Sequence, residues 1–156
     1  MIIAIDPSIA NVGWCIASHK DGYQSSGVIK TDNTQSDAER LHDIYMKLIF
    51  VEDLMLSRIK TAFIEMPDSF SFARSKGAGG AGLNQASLHK LNRAIGAIML
   101  TFKARGINVN EVKVSEWKGR RNKKLDQIIA KQLSGKKCGP DESDAICLAE
   151  YCRGRE

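Results

Sequence analysis

The sequence predicts an α/β domain on a mixed five-stranded sheet, its first three strands antiparallel. Two observations carry this. Three short runs of β-branched and small residues open the chain with only turn signals between them, the pattern of a meander. Two long helical patterns follow, each succeeded by a further short apolar run, so the later strands are reached through crossover helices. The 156 residues, 43% of them hydrophobic, are read as a single domain, 1–156, with enough chain to bury a core.

Ile2 to Ile5 form the first apolar run, and Pro7 keeps Asp6 out of the helical region, so the strand ends extended on a carboxylate. Asn11 and Gly13 suit a tight reversal, which makes Val12 to Ala17 the antiparallel partner. Gly22 to Lys30 reads as the third strand. A helix over Ser36 to Arg58 begins with a capping box, Ser36 with Glu39. Its stripe of Leu41, Ile44, Tyr45, Leu48, Val51, Met55 and Ile59 falls at helical spacing. Thr61 to Glu65 is a fourth strand, again ending on an acid with a proline just beyond. Asp68 to Gly82 is a glycine-rich loop that does not match a phosphate-binding P-loop. Leu83 to Arg105 is a second long helix stopped by Gly106, and Ile107 to Val114 a fifth strand. A helix near Lys124 to Leu133 and a last one opening at Pro140 complete the order.

Composition narrows the function classes. No apolar run approaches the roughly 18 residues of a membrane span, and no signal-peptide pattern opens the chain, so the expectation is a cytoplasmic protein without a membrane partner. Cys15, Cys138, Cys147 and Cys152 form no C-x-x-C pair and His19, His42 and His89 are scattered, which argues for reduced, non-ligating thiols rather than a zinc site. The net charge is +5, but between Lys113 and Lys137 nine basic residues face only Glu116 and Asp126. That segment alone carries +7, so the remainder is about −2. Such a concentration fits a polyanion such as nucleic acid, although a solvated helix face would read the same way.

Four acids stand out by position. If the fourth strand lies parallel to the first, Asp6 and Glu65 emerge at the same sheet edge. Asp141 and Asp144, three apart in the first turns of the last helix, share one helical face. The bland alternatives are a turn cap for Asp6 and helix-dipole partners for the later pair. Gathered together, like charges about 4 Å apart would cost on the order of 4 kcal/mol per pair, so the cluster calls for bound cations. Oxygen ligands select Mg²⁺ or Mn²⁺, and two such ions can clamp a phosphodiester. Phe70 and Phe72, with Arg74 and Lys76, lie on the glycine-rich loop just after Glu65, where aromatics could stack on bases or fold back onto the core.

Ile-Asp-Pro-Ser near the amino terminus, Ile-Glu after the first long helix and Asp-x-x-Asp-Ala opening the last helix resemble the RuvC-type Holliday junction resolvases. The resemblance implies the ribonuclease H-like fold with helices on both sheet faces. It also implies a homodimeric, Mg²⁺-dependent endonuclease cutting four-way or other branched DNA junctions, with two ions per site and Mn²⁺ as a substitute. Asp6, Glu65, Asp141 and Asp144 match the family's catalytic, metal-binding acids. Lys118 matches its first phosphate-side lysine, and Lys124 or Lys123 the second. Phe70 and Phe72 stand near its junction-core aromatic, with Lys113, Arg120, Arg121 and Lys123 as further DNA contacts. The compact chain hints at a phage-type member, acting in bacterial cytoplasm or in that of a phage's host. Two other readings compete: a different nuclease on this fold, of ribonuclease H or debranching type, and a non-catalytic junction-binding protein.

Overall fold

The computed structural model describes residues 1–51, 58–68 and 85–155. Its strands are β1 (Ile2–Asp6), β2 (Asn11–Ser18), β3 (Gly22–Lys30), β4 (Thr61–Met66) and β5 (Asn108–Lys113). The helices are α1 (Asp37–Ile49), α2 (Gln85–Ala104), α3 (Val114–Trp117), α4 (Lys123–Ser134) and α5 (Pro140–Cys152). One sheet runs in the order β3-β2-β1-β4-β5. β1 to β3 pair antiparallel, whereas β4 lies parallel to both β1 and β5. The predicted mixed sheet is therefore the observed one.

Strand parity divides the core. Successive side chains point to opposite faces, so Ile3 and Ile5 of β1 and Ala62 and Ile64 of β4 meet Ile44 and Leu48 of α1 and Ile98 and Phe102 of α2. Ile2, Ala4 and Phe63 occupy the other face with Ala130 of α4 and Ala145, Leu148 and Ala149 of α5. Asp6 and Glu65 continue this second set, two residues beyond Ala4 and Phe63, so both carboxylates belong to the face that α5 covers. All four cysteines are buried and free.

Three expectations need correction. The first reversal is not made at Asn11 and Gly13, which are already paired in β2. Ser8 makes it instead, its hydroxyl accepting from the Ala10 amide at 3.1 Å. Helix α1 keeps its predicted Ser36 capping box but ends at Ile49 instead of Arg58. Val51 lies past the helix, Met55 lies outside the described residues, and Tyr45 is turned to solvent beside the Ile44–Leu48 stripe. The fifth strand stops at Lys113 because Val114 starts the short helix α3, which at four residues is too brief for any periodic signal.

Gly13 has a different use. It pairs with Asp6 on the α5 face, and a Cβ there would overlap the backbone carbonyl of Asp141. The first turn of α5 thus lies directly on strand backbone. Gly13→Ala forces strand and helix apart, an overpacking cost of about 1–3 kcal/mol. At about 2–4 °C per kcal/mol for a chain of this size, thermal melts should show a clear loss. Gly96→Ala, at an open position within α2, should instead raise the melting temperature slightly. A Gly13→Ala variant melting with wild type would show that the helix docks with slack.

Candidate active site

The site forms where β1 and β4 end. Their parallel register pairs Ile5 with Ile64, so Asp6 and Glu65 occupy the next positions on adjacent strands. Helix α5 brings its first turn to the same edge, with Pro140 at the start, where a missing amide hydrogen costs nothing. Asp141 and Asp144 then approach from above the sheet. Glu142, between them, is otherwise engaged: it accepts from Ser26 Oγ and from Lys136 Nζ, each at 2.7 Å. Burial pushes its pKa up, but those hydrogen bonds outweigh burial and hold it below the ordinary range. Sequence position alone could not have separated Glu142 from its neighbours.

Convergence of the acids is written in their electrostatics. Burial raises the Asp6 pKa well above normal, and Glu65, Asp144 and Asp141 raise it further, against relief from Lys118. Burial also lifts Glu65 to about 7, with Lys118 pulling down and Asp144 pushing up. Lys118 Nζ donates to Asp144 Oδ2 at 2.7 Å. Its own pKa is lowered by burial but raised by Asp144, Glu65 and Asp126, and the anions win.

Helix α3 delivers this lysine. Trp117 packs into the α5-side core and Lys118 caps the helix, its amide bonding Val114 O at 2.9 Å. The Trp117 ring carries two cations, Lys118 Nζ 5.2 Å and the Arg121 guanidinium 5.3 Å from its centroid. Its indole Nε1 is buried beside Glu65 yet closes no hydrogen bond among the described residues. Sequence reasoning missed Trp117, and it missed Asp126. The latter is fully buried in the first turn of α4, within ion-pair distance of Lys118 (3.5 Å) and Arg121 (3.1 Å). A tryptophan directly before the matched lysine was the only available signal.

Other predicted residues are distributed unevenly. Arg121 faces inward, bonding Trp117 O at 2.9 Å as well as pairing with Asp126. Lys113, Arg120, Lys123 and Lys124 are exposed, and the latter two open α4 behind the Asn122 cap. Neither Lys123 nor Lys124 has an ion pair with the acids, so only Lys118 of the matched lysines joins the cluster. Phe70, Phe72, Arg74 and Lys76 lie outside the described residues.

The donor set suits a hard divalent cation. Glu65 Oε2 and Asp144 Oδ1 are buried without hydrogen-bond partners among the described residues, and every candidate ligand is a carboxylate oxygen. Among the described residues no three ligating side chains are drawn into a ready-made coordination shell. An open cluster is what mutual repulsion and an interposed ammonium would produce.

No protein-family profile and no curated protein matches the sequence. Solved structures do match in three dimensions, two RuvC structures among them. Thermus thermophilus RuvC in complex with Holliday junction substrate aligns at a TM-score of 0.73 and 17% identity, over 96% of this chain and 90% of that one. A second Thermus thermophilus RuvC structure aligns at 0.67 and 18%, over 96% and 91%. The fold is RuvC-like. Identity this low establishes the architecture and no more. Within the RuvC-like fold, β1, β4 and α5 supply the four acids from three well-separated parts of the chain.

Elevated acid pKa values have a sign. Glu65 ordinarily titrates near 4.5 and here near 7, so without metal the folded state holds a proton that the unfolded chain has lost. Its contribution to stability is complete below the unfolded value and lost as pH rises through about 7; Asp6 acts in the same direction. In EDTA the melting temperature should fall between about pH 5.5 and about pH 8, and Glu65→Gln should flatten that fall and melt higher at the alkaline end. A pH-independent melt, or an unchanged slope in the variant, contradicts the buried cluster.

Proposed function

We propose that this protein is a metal-dependent endonuclease selective for branched DNA, four-way junctions foremost. The observation supporting this best is the gathering of Asp6, Glu65, Asp141 and Asp144 at one sheet edge, with the Lys118 ammonium on Asp144. Binding alone would gain nothing from carboxylates turned toward phosphates. Asp6, Glu65, Asp141 and Asp144 would hold Mg²⁺, as two ions per site, with Mn²⁺ able to substitute. Such ions would supply positive charge to the attacking and leaving oxygens of a phosphodiester.

The chain's own side chains have separate tasks in this reading. The acids orient the cations, and their burial at the strand ends keeps them preorganised. Lys118, charged because the surrounding acids outweigh its burial, offers an ammonium to charge developing on the phosphate. Lys113, Arg120, Lys123 and Lys124 contact the backbone of the DNA arms, and Arg121 serves them by fixing the turn between α3 and α4. Arg74 and Lys76 extend that contact, and Phe70 or Phe72 stacks at an opened crossover. A homodimer would set two sites for symmetric nicks, and a cytoplasmic location would give access to DNA. The bound DNA of the Thermus thermophilus structure supports the substrate class.

Cleavage of a four-way junction, a Y-fork, a flap and an RNA–DNA hybrid in Mg²⁺ should rank the junction first. Preference for the hybrid would favour a ribonuclease H activity instead. Amide replacement of any one of the four acids should lower junction cleavage by about 100-fold or more, the scale for losing a preorganised electrostatic group, while binding persists. Two amide variants cutting at wild-type rate would dismantle the shared site. Phe70→Ala or Phe72→Ala should weaken junction binding about ten-fold and spare linear duplex, given about 1–3 kcal/mol per stacked base. Equal loss on both substrates would reduce the loop to a general contact.

A further inference from the structure

Asp126 is an acid that the four-carboxylate reading leaves without a task. It is completely buried, and both of its carboxylate oxygens lack a hydrogen bond among the described residues. A buried carboxylate without hydrogen bonds is costly, and cations alone offset it here: Lys118 Nζ 3.5 Å from Oδ2 and Arg121 Nε 3.1 Å from Oδ1. It is not the helix cap, because Asn122 Oδ1 takes the Leu125 amide at 3.0 Å. Cys147 Sγ meets its backbone carbonyl at 3.5 Å, which ties this turn of α4 to α5.

The ammonium of Lys118 therefore stands between two anions. One is Asp144 Oδ2 at 2.7 Å, a member of the acid cluster; the other is Asp126 Oδ2 at 3.5 Å, on a different helix. A carboxylate oxygen cannot serve an ammonium and a divalent cation equally well. Asp144 Oδ1 is free, but a cation that also takes Oδ2 displaces Lys118 from it, and a partly buried ammonium with no anion to receive it is expensive. Asp126 has idle acceptor capacity within a small side-chain rotation. The Trp117 ring, with Lys118 over its face and Arg121 alongside, limits where that stem can go.

We infer that Asp126 is a positioning residue that draws the Lys118 ammonium from Asp144, releasing Asp144 to a divalent cation while keeping Lys118 in the site. This rests on the four acids being a cation-binding site. In it, Lys118 competes with the metal, and Asp126 sets how strongly.

A double-mutant cycle on the full chain tests this, with Mn²⁺ affinity measured by calorimetry for wild type, Lys118→Met, Asp126→Asn and the double variant. Removing the competitor should tighten Mn²⁺ binding in Lys118→Met by about three-fold or more. Asp126→Asn should weaken it about ten-fold while Lys118 is present, because the ammonium is then left to Asp144, and by no more than about three-fold in the Lys118→Met background. Equal weakening in both backgrounds would make Asp126 a distant charge and overturn the inference. Unchanged or weaker Mn²⁺ binding in Lys118→Met would overturn it also, because Lys118 would then not compete. Failure of wild type to bind Mn²⁺ would instead remove the cation site itself, and the inference with it. Thermal melts accompany each variant, and if Asp126→Asn loses its cooperative transition, Asp126→Ser replaces it in the cycle with the same expectations.

Discussion

Parallel pairing of β1 with β4 places two carboxylates on adjacent strand ends, and docking of α5 adds two more from above. Burial alone would drive such acids toward their protonated forms, as the raised pKa values of Asp6 and Glu65 record. What keeps the arrangement compatible with a folded protein is Lys118, whose ammonium reaches Asp144 and lowers the pKa of both strand-end acids. Helix α3, the Trp117 platform and the turn into α4 are arranged around delivering that one charge. Asp126 and Arg121 extend the alternation of signs inward, so Asp144, Lys118, Asp126 and Arg121 each have an opposite neighbour.

The sheet and two of the acids were legible because strand physics is local. Short apolar runs, prolines after Asp6 and Glu65, and a crossover helix between them are enough to imply a common edge. The pair on α5 was legible from helical spacing, and the small apolar residues after Asp144 correctly implied close packing on the sheet. Lys118 could be singled out only through resemblance to a known family, since one of nine basic residues in such a segment has no distinguishing pattern.

The missed features depend on tertiary placement. Asp126 follows Lys123 and Lys124 and looks like a solvated partner for them; only the turn from Lys118 to Asn122 rotates it inward. Trp117 could equally have been an exposed aromatic of a basic surface. Gly13 was misread because a glycine near a reversal suggests a turn, whereas its lack of a side chain is used against α5. Glu142 is a third acid in the same helical turn, and only Ser26 and Lys136, from elsewhere in the fold, remove it from the cluster.

The separation of the acids along the chain has a consequence for synthesis. Asp6 and Glu65 leave the ribosome well before Asp141 and Asp144, and domains generally fold as units as they emerge. A nascent chain truncated anywhere before α5 carries at most half of the cluster and lacks the helix that would close it against the Gly13 backbone. Assembly of the four acids therefore coincides with docking of that helix, so an incomplete translation product cannot carry the four-acid site.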